Sequence, residues 1–130
     1  MTKLLDHIKS RFKIVVVDTE FQSDKASEAY CTKALCAVYK DLSTGQIIKI
    51  WDYEQDNLAQ HHFDFNSTIF VCWYGIAEAG YFLQQLMGRP PYIFDCWTEY
   101  AKLYKNRRDL SLLAAATAYA YPNPISKEEK

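Results

Sequence analysis

The sequence has almost no net charge, no long apolar run and no closely paired cysteines. Its formal net charge is −1 over 130 residues, so no overall positive field would draw the chain to nucleic acid or to a membrane surface. Contact with a polyanion would therefore have to be local or carried by metal ions. No apolar run approaches the length of a membrane span. Residues 1–12 mix charges with apolar positions, which is not typical of a signal peptide.

The four cysteines lie in apolar stretches, and none forms a CxxC pair or a cluster with histidine at zinc spacing. This pattern indicates reduced, buried thiols in a protein of the cytoplasm. The length and the 49% apolar content predict one folded domain over residues 1–130, with a polar tail at residues 123–130.

Apolar periodicity predicts an α/β fold in which a hairpin precedes strand–helix–strand units. A short amphipathic helix is expected at the N-terminus, and helices are expected after each of the last two strands. This order predicts a mixed sheet, with antiparallel hairpin strands and parallel strands, flanked by helices. The predicted strands are residues 13–18, 30–40, 47–53, 68–73 and 92–95, and residues 22–29 read as a loop.

Two carboxylates follow the most apolar strand of the chain. Asp18 and Glu20 come directly after "KIVVV", and alternation along a strand projects them to the same face. Two anions so close repel each other unless protons or a cation neutralise them. Oxygen ligands suit a hard ion such as Mg²⁺ or Mn²⁺. The alternative is that the strand simply ends there and both acids are solvated.

Two further acids follow the later strands. Glu78 lies in the first turn of the predicted helix after strand 68–73, where the helix dipole alone would favour a carboxylate. Alternatively, it faces Asp18 and Glu20 across adjacent parallel strands. Asp95 is either a further ligand at the same edge or the N-cap of the next helix. Three or four such acids can hold two divalent ions.

The ordered motifs resemble the N-terminal part of the 3′→5′ exonuclease domain of family A, polymerase I-like DNA polymerases. That domain has the ribonuclease H-like fold of the DEDD exonucleases. The segment "VVVDTEF" resembles the first motif, and "IFVCWYGIAEAGYFLQQL" resembles the second. The matching segments are completed by the hairpin "LCAVYKDLSTGQIIKIW", the strand and helix "YIFDCWTEYAKLY", and the Leu/Ala-rich "LSLLAAATAYAY".

The resemblance implies a metal-dependent nuclease that proofreads at a single-stranded DNA 3′ end, with a polymerase domain downstream. Two Mg²⁺ or Mn²⁺ ions would be its cofactors. Asp18 would bridge both ions, Glu20 would bind the ion that activates water, and Glu78 would support the second ion. Residues expected near the terminal nucleotide are Thr19, Phe21, Tyr74 and Tyr81.

Two departures from the family pattern favour a second hypothesis. The second motif normally carries Asp, whereas the matching residue here is Glu78. The third motif, a Tyr or His followed by Asp one helical turn later, has no match through Lys130. These departures predict a domain truncated before that motif, with weak or absent activity. The alternative function is a scaffold or DNA-binding module of a polymerase. A flavodoxin-like or receiver-like protein is a third hypothesis, and the early hairpin argues against it.

Overall fold

The computed structural model describes residues 2–24, 27–52, 54, 62–85 and 88–122. Four α-helices, one short 3-10 helix (Phe65–Ser67) and five strands are assigned within these ranges. The helices are α1 (Thr2–Arg11), α2 (Gly75–Gln84), α3 (Cys96–Leu103) and α4 (Leu112–Ala118). The strands are β1 (Lys13–Asp24), β2 (Ser27–Asp41), β3 (Ile47–Trp51), β4 (Thr68–Cys72) and β5 (Ile93–Asp95).

The strands form one mixed sheet in the order β3-β2-β1-β4-β5. Strand β2 runs antiparallel to β1 and β3, while β4 runs parallel to β1 and β5 runs parallel to β4. The predicted α/β class, with an antiparallel hairpin and parallel strands in one sheet flanked by helices, is confirmed. The carboxyl ends of β1, β4 and β5 therefore lie along one edge of the sheet.

One face of the sheet carries the core. Helix α2 packs mainly on β2 and β1, and its inward side chains Glu78, Tyr81 and Phe82 follow the i, i+3, i+4 spacing of a helix face. Phe70 of β4 is fully buried and its ring centroid lies 5.4 Å from that of Phe82. Burial of these large aromatic side chains removes apolar area from water and stabilises the packing of α2 on the sheet.

The start of α2 is pressed against β5. A Cβ atom on Gly75 would lie 3.1 Å from Cγ2 of Ile93 and 3.4 Å from Sγ of Cys72. A side chain at this position would require the Ile93 side chain to shift, whereas glycine lets the helix begin this close to the strand without such a shift. The result is that the first turn of α2, which contains Glu78, lies directly beneath the sheet.

The opposite face of the sheet carries Asp18 and Glu20 together with apolar side chains that remain partly in solvent. On β1, the residues of this face alternate with the buried Val15, Val17 and Thr19. The pairing register places their partner residues on the neighbouring strands on this same face. The partly exposed apolar residues of this face are Val16, Val38, Ile47, Trp51 and Phe94.

Strand β1 is longer than predicted. The prediction ended it at Asp18 and placed a loop at residues 22–29, but β1 continues to Asp24 and pairs with β2 from Ser27 onward. Register shifts occur after Glu20 and on both sides of Ser23, so this part of the hairpin is irregular. Phe21 of the extension packs against the core, but the residues after it are polar, so apolar periodicity does not mark this part of the strand.

The N-terminal helix is present as predicted, but none of its residues is buried. Within the described ranges, no helix is both long and apolar enough to cross a bilayer. The predicted polar tail at residues 123–130 and most of the polar connection between β3 and β4 lie outside the described residues.

Candidate functional site at the carboxyl edge of the sheet

Asp18 and Glu20 lie where β1 loses one of its two neighbours. The pairing of β1 with β4 ends at Val16 and Val71, whereas pairing with β2 continues and sets Glu20 opposite Cys36. Burial and then the negative charges of Glu20 and Asp18 raise the pKa of the Cys36 thiol. Both carboxylates therefore lie close enough to Cys36 for their negative charges to act on its thiol.

The two carboxylates are available to a ligand. Both side chains are exposed. Within the described part of the chain, neither carboxylate takes part in a hydrogen bond or an ion pair. The sequence prediction that they share one face is consistent with this arrangement, because Thr19 between them is buried on the other side.

Glu78 lies on the covered side of the sheet. Its side chain is only 4% exposed, and its Oε1 accepts a hydrogen bond of 3.2 Å from the Thr19 hydroxyl. Its Oε2 is buried and has no hydrogen-bond partner among the described residues. Burial, reinforced by the negative charge of Asp18, raises the pKa of Glu78 to about 7, although the hydrogen bond from Thr19 opposes the rise.

Glu78 does not join the two exposed acids in one group. It contacts Thr19, whose side chain points away from the face that carries Asp18 and Glu20. Over the ranges that the structure describes, no three His, Cys, Asp or Glu side chains are placed to hold a metal ion together. The cage of three or four carboxylates expected from the sequence is therefore not formed by these residues.

Asp95 caps α3, which is the alternative that the sequence left open for it. Its Oδ1 accepts hydrogen bonds from the backbone N–H groups of Trp97 and Tyr74, each 3.0 Å long, and its Oδ2 accepts one of 2.9 Å from the Thr98 hydroxyl. Burial works against ionisation, but hydrogen bonds from Thr98, Gly75 and Tyr74 outweigh it and lower the pKa of Asp95. Through these hydrogen bonds, the Asp95 carboxylate links the connection between β4 and α2 to the first turn of α3.

The four residues expected near a terminal nucleotide have different surroundings. Tyr81 is 2% exposed and lies in the core, so its ring cannot stack on a base. The Thr19 side chain is also buried and bonds Glu78. Phe21 is half-buried and packs against the core. Tyr74 is 38% exposed and is the one of the four whose ring is open to a ligand.

Two further residues at this edge were missed by the sequence analysis. Trp97 lies in the first turn of α3, and its ring centroid is 5.4 Å from that of Tyr74. Asp52 follows β3, and its negative charge also acts on Cys36. The hairpin register could have placed Asp52 at this edge, since β3 runs in the direction of β1. The Tyr74–Trp97 contact depends on the packing of α3 and had no signal in the sequence.

Comparison of the chain with protein-family models, with curated proteins and with solved structures gives no significant match.

Proposed function

We propose that this chain is a ribonuclease H-like domain of the 3′→5′ exonuclease type, which binds the 3′ end of a single-stranded DNA through a divalent cation. The single observation that carries the proposal is the pair of exposed carboxylates of Asp18 and Glu20 at the carboxyl edge of the sheet, which have no hydrogen-bond or ion-pair partner among the described residues. In open α/β sheets, ligands bind outside the carboxyl ends of the strands, where neighbouring strands diverge.

The order of the elements supports the ribonuclease H-like assignment. The Asp-Thr-Glu segment lies on β1, the hairpin partner β2 runs against the other four described strands, and β4 leads into the helix that carries Glu78. Asp95 ends β5 and begins α3. This succession is the one that the resemblance to polymerase I-like exonuclease domains implies, and a polymerase domain remains part of the proposal as a partner.

Asp18 and Glu20 are the residues that would hold Mg²⁺ or Mn²⁺, because both present carboxylate oxygens on one exposed face and neither has a partner within the described ranges. A bound cation would supply the positive charge that a chain of net charge −1 lacks for contact with a phosphodiester. The described residues provide two of the expected ligands. Glu78 does not fit the role of a third, since it is buried, bonded to Thr19 and readily protonated.

The position of Glu78 favours a second candidate function, which is binding of a DNA end without hydrolysis. Two-metal hydrolysis needs ligands enough for two ions, and the described residues bring only Asp18 and Glu20 together on the open face. Under this candidate function, the domain would retain a DNA strand or support a polymerase domain.

A single-stranded oligonucleotide with a 5′ label distinguishes the two functions. Binding in Mn²⁺ and shortening from the 3′ end would be measured for the unsubstituted chain and for Asp18→Asn/Glu20→Gln. Asp6→Asn, an exposed carboxylate on α1, is the control. Shortened products that disappear in the double variant support the exonuclease, and binding without products supports the binding module. Equal binding and equal products in the double variant and the control would contradict both.

A further inference from the structure

One row of side chains on the open face of the sheet has opposite charges at its two ends. The pairing register sets Lys49 of β3 beside Val38 of β2, and Val38 beside Asp18 of β1. All three side chains are exposed. Two strand spacings, about 10 Å, separate Lys49 from Asp18, and the two form no ion pair within the described ranges. Strand β2 therefore lies midway between a lysine and a carboxylate that do not pair within one chain.

Apolar side chains around this row remain in contact with solvent. Val38 is 37% exposed although β2 has a neighbouring strand on each side, and Val16 and Ile47 are 38% and 55% exposed. Lys40 lies between Val16 and Ile47 in the adjacent row. Helix α2 covers the opposite face, and no described element buries these side chains. An exposed apolar patch with charged residues around it is typical of a surface that binds protein.

A second copy of the chain fits this face through a two-fold axis that runs along β2. Such an axis exchanges β1 with β3, so it sets Lys49 of one copy over Asp18 of the other, and this contact occurs twice. It also sets Val38 over its equivalent in the other copy. In the adjacent row, Ile47 meets Val16. The patch is therefore complementary to itself in both charge and apolar contact, as an interface between two identical surfaces requires.

We propose that the open face is the interface of a symmetric homodimer, in which Lys49 of each copy pairs with Asp18 of the other around the two Val38 side chains. The turn of about 30° between packed sheets moves the two Lys40 side chains apart. The inference does not rest on the proposed function, because the dimer needs neither cation nor DNA. The two meet at Asp18, since the lysine of one copy and a cation would compete for the same carboxylate.

Charge reversal tests the pairing by sedimentation velocity with a chelator present. The variants Lys49→Glu and Asp18→Lys each bring like charges together across the interface and should weaken the dimer by about tenfold or more. An equimolar mixture of the two should restore it, because Glu at one position then meets Lys at the other in both contacts. The controls Lys3→Glu and Asp6→Lys, exposed on α1, make the same changes in net charge away from this face and should dimerise like the unsubstituted chain.

Cys36 provides a second measurement of the same interface. It follows Val38 in the rows along β2 and lies beside Glu20, so the axis brings it close to its equivalent. A bismaleimide that spans the roughly 10 Å between packed sheets should join two copies of the unsubstituted chain and of Cys96→Ser, but not of Cys36→Ser. Cys96 is half-buried like Cys36 but lies on α3, which makes it the matched control.

A chain that stays monomeric at every soluble concentration would overturn the inference, as would a dimer that the charge reversals leave unchanged. Failure of the mixture to restore the dimer, with both variants folded by circular dichroism, would also overturn it. Where calorimetry shows Mn²⁺ bound, the cation should shift the unsubstituted chain towards the monomer, and a dimer that bound Mn²⁺ leaves unchanged would contradict the pairing at Asp18. A dimer in a chain that binds no Mn²⁺ would support this inference and contradict the proposed function.

Discussion

The Glu78 carboxylate is buried in the first turn of α2, and its Oε1 accepts a hydrogen bond of 3.2 Å from the Thr19 hydroxyl. The sequence placed an acid in the first turn of the helix after the second buried strand, and α2 confirms that position. Which way the acid points depends on the face that α2 covers, and this is set by packing on β1 and β2. The side chain consequently reaches the buried Thr19 instead of the exposed pair.

We expect Glu78 to make the stability of the protein depend on pH. Its pKa is raised from 4.5 to about 7 in the folded chain, so the folded state holds a proton that the unfolded state releases. The stabilisation from this proton is complete below pH 4.5 and is lost as the pH rises through about 7. Over that window the loss amounts to roughly 3 kcal/mol of unfolding free energy.

Urea unfolding at pH 5 and pH 8 measures this effect in the unsubstituted chain and in Glu78→Gln. The Gln variant should lose much less stability between the two pH values, since its side chain does not ionise. Glu99→Gln, an exposed position on α3, is the control and should keep the pH dependence of the unsubstituted chain. Equal pH dependence in Glu78→Gln and the control would show that Glu78 is not the titrating group.

The Thr19 hydroxyl is expected to contribute to stability through the same contact. Thr19→Val keeps the shape of the side chain but removes the hydrogen bond that Oε1 of Glu78 accepts. The cost should be about 1–3 kcal/mol at pH 8 and smaller at pH 5, where Glu78 is protonated. The exposed Thr117, whose hydroxyl bonds the Leu113 carbonyl, gives the control Thr117→Val. A loss no larger than that of the control at pH 8 would contradict the account.

At the scale of elements, the sequence predicted all five strands, but it did not predict the extension of β1 beyond Asp18 or the pairing of that extension with β2. Strand β1 and strand β4 were visible as apolar runs, and β2 and β3 were visible around a turn. The extension of β1 to Asp24 contains polar residues and has register shifts, so neither composition nor alternation marks it. Asp18 and Glu20 therefore lie within a strand, at the point where its β4 neighbour ends.

We expect the Asp95 side chain to stabilise the contacts between β4, α2 and α3. It caps α3 and bonds the backbone of Tyr74 between β4 and α2. Asp95→Ala removes both contacts and should lower the free energy of unfolding by about 2 kcal/mol, at the upper end of the range for an N-cap. Ser111→Ala removes the cap of α4 alone and should cost about 1 kcal/mol. Urea denaturation measures both, and an equal loss in the two variants would show that the Tyr74 contact adds nothing.

At the scale of the whole molecule, the strand order follows from the succession of a hairpin and strand–helix–strand units. This succession was readable in the sequence, which is why the mixed sheet was predicted. The sequence held no information on how far each acid lies from the others across the sheet. That distance depends on the burial of α2 and on the pairing of β1 with two neighbours.

The small net charge of the chain leads to a prediction about its affinity for single-stranded DNA. Because the chain carries −1 overall, its affinity for single-stranded DNA should depend on the cation far more than on general electrostatic attraction. Anisotropy titrations should show binding in Mn²⁺ and at least a tenfold loss with a chelator. The affinity should fall only weakly between low and moderate salt, since few phosphates are neutralised by Lys or Arg. Tight binding with the chelator present, weakened steeply by salt, would point to a basic surface instead.

The central claim is that Asp18 and Glu20 together bind a divalent cation. Calorimetric titration of Mn²⁺ into the chain at pH 7.5 tests it most directly, with Asp18→Asn/Glu20→Gln and the control Asp6→Asn alongside. We predict a binding heat in the unsubstituted chain and in the control that is absent from the double variant. Identical isotherms for all three proteins would contradict the claim.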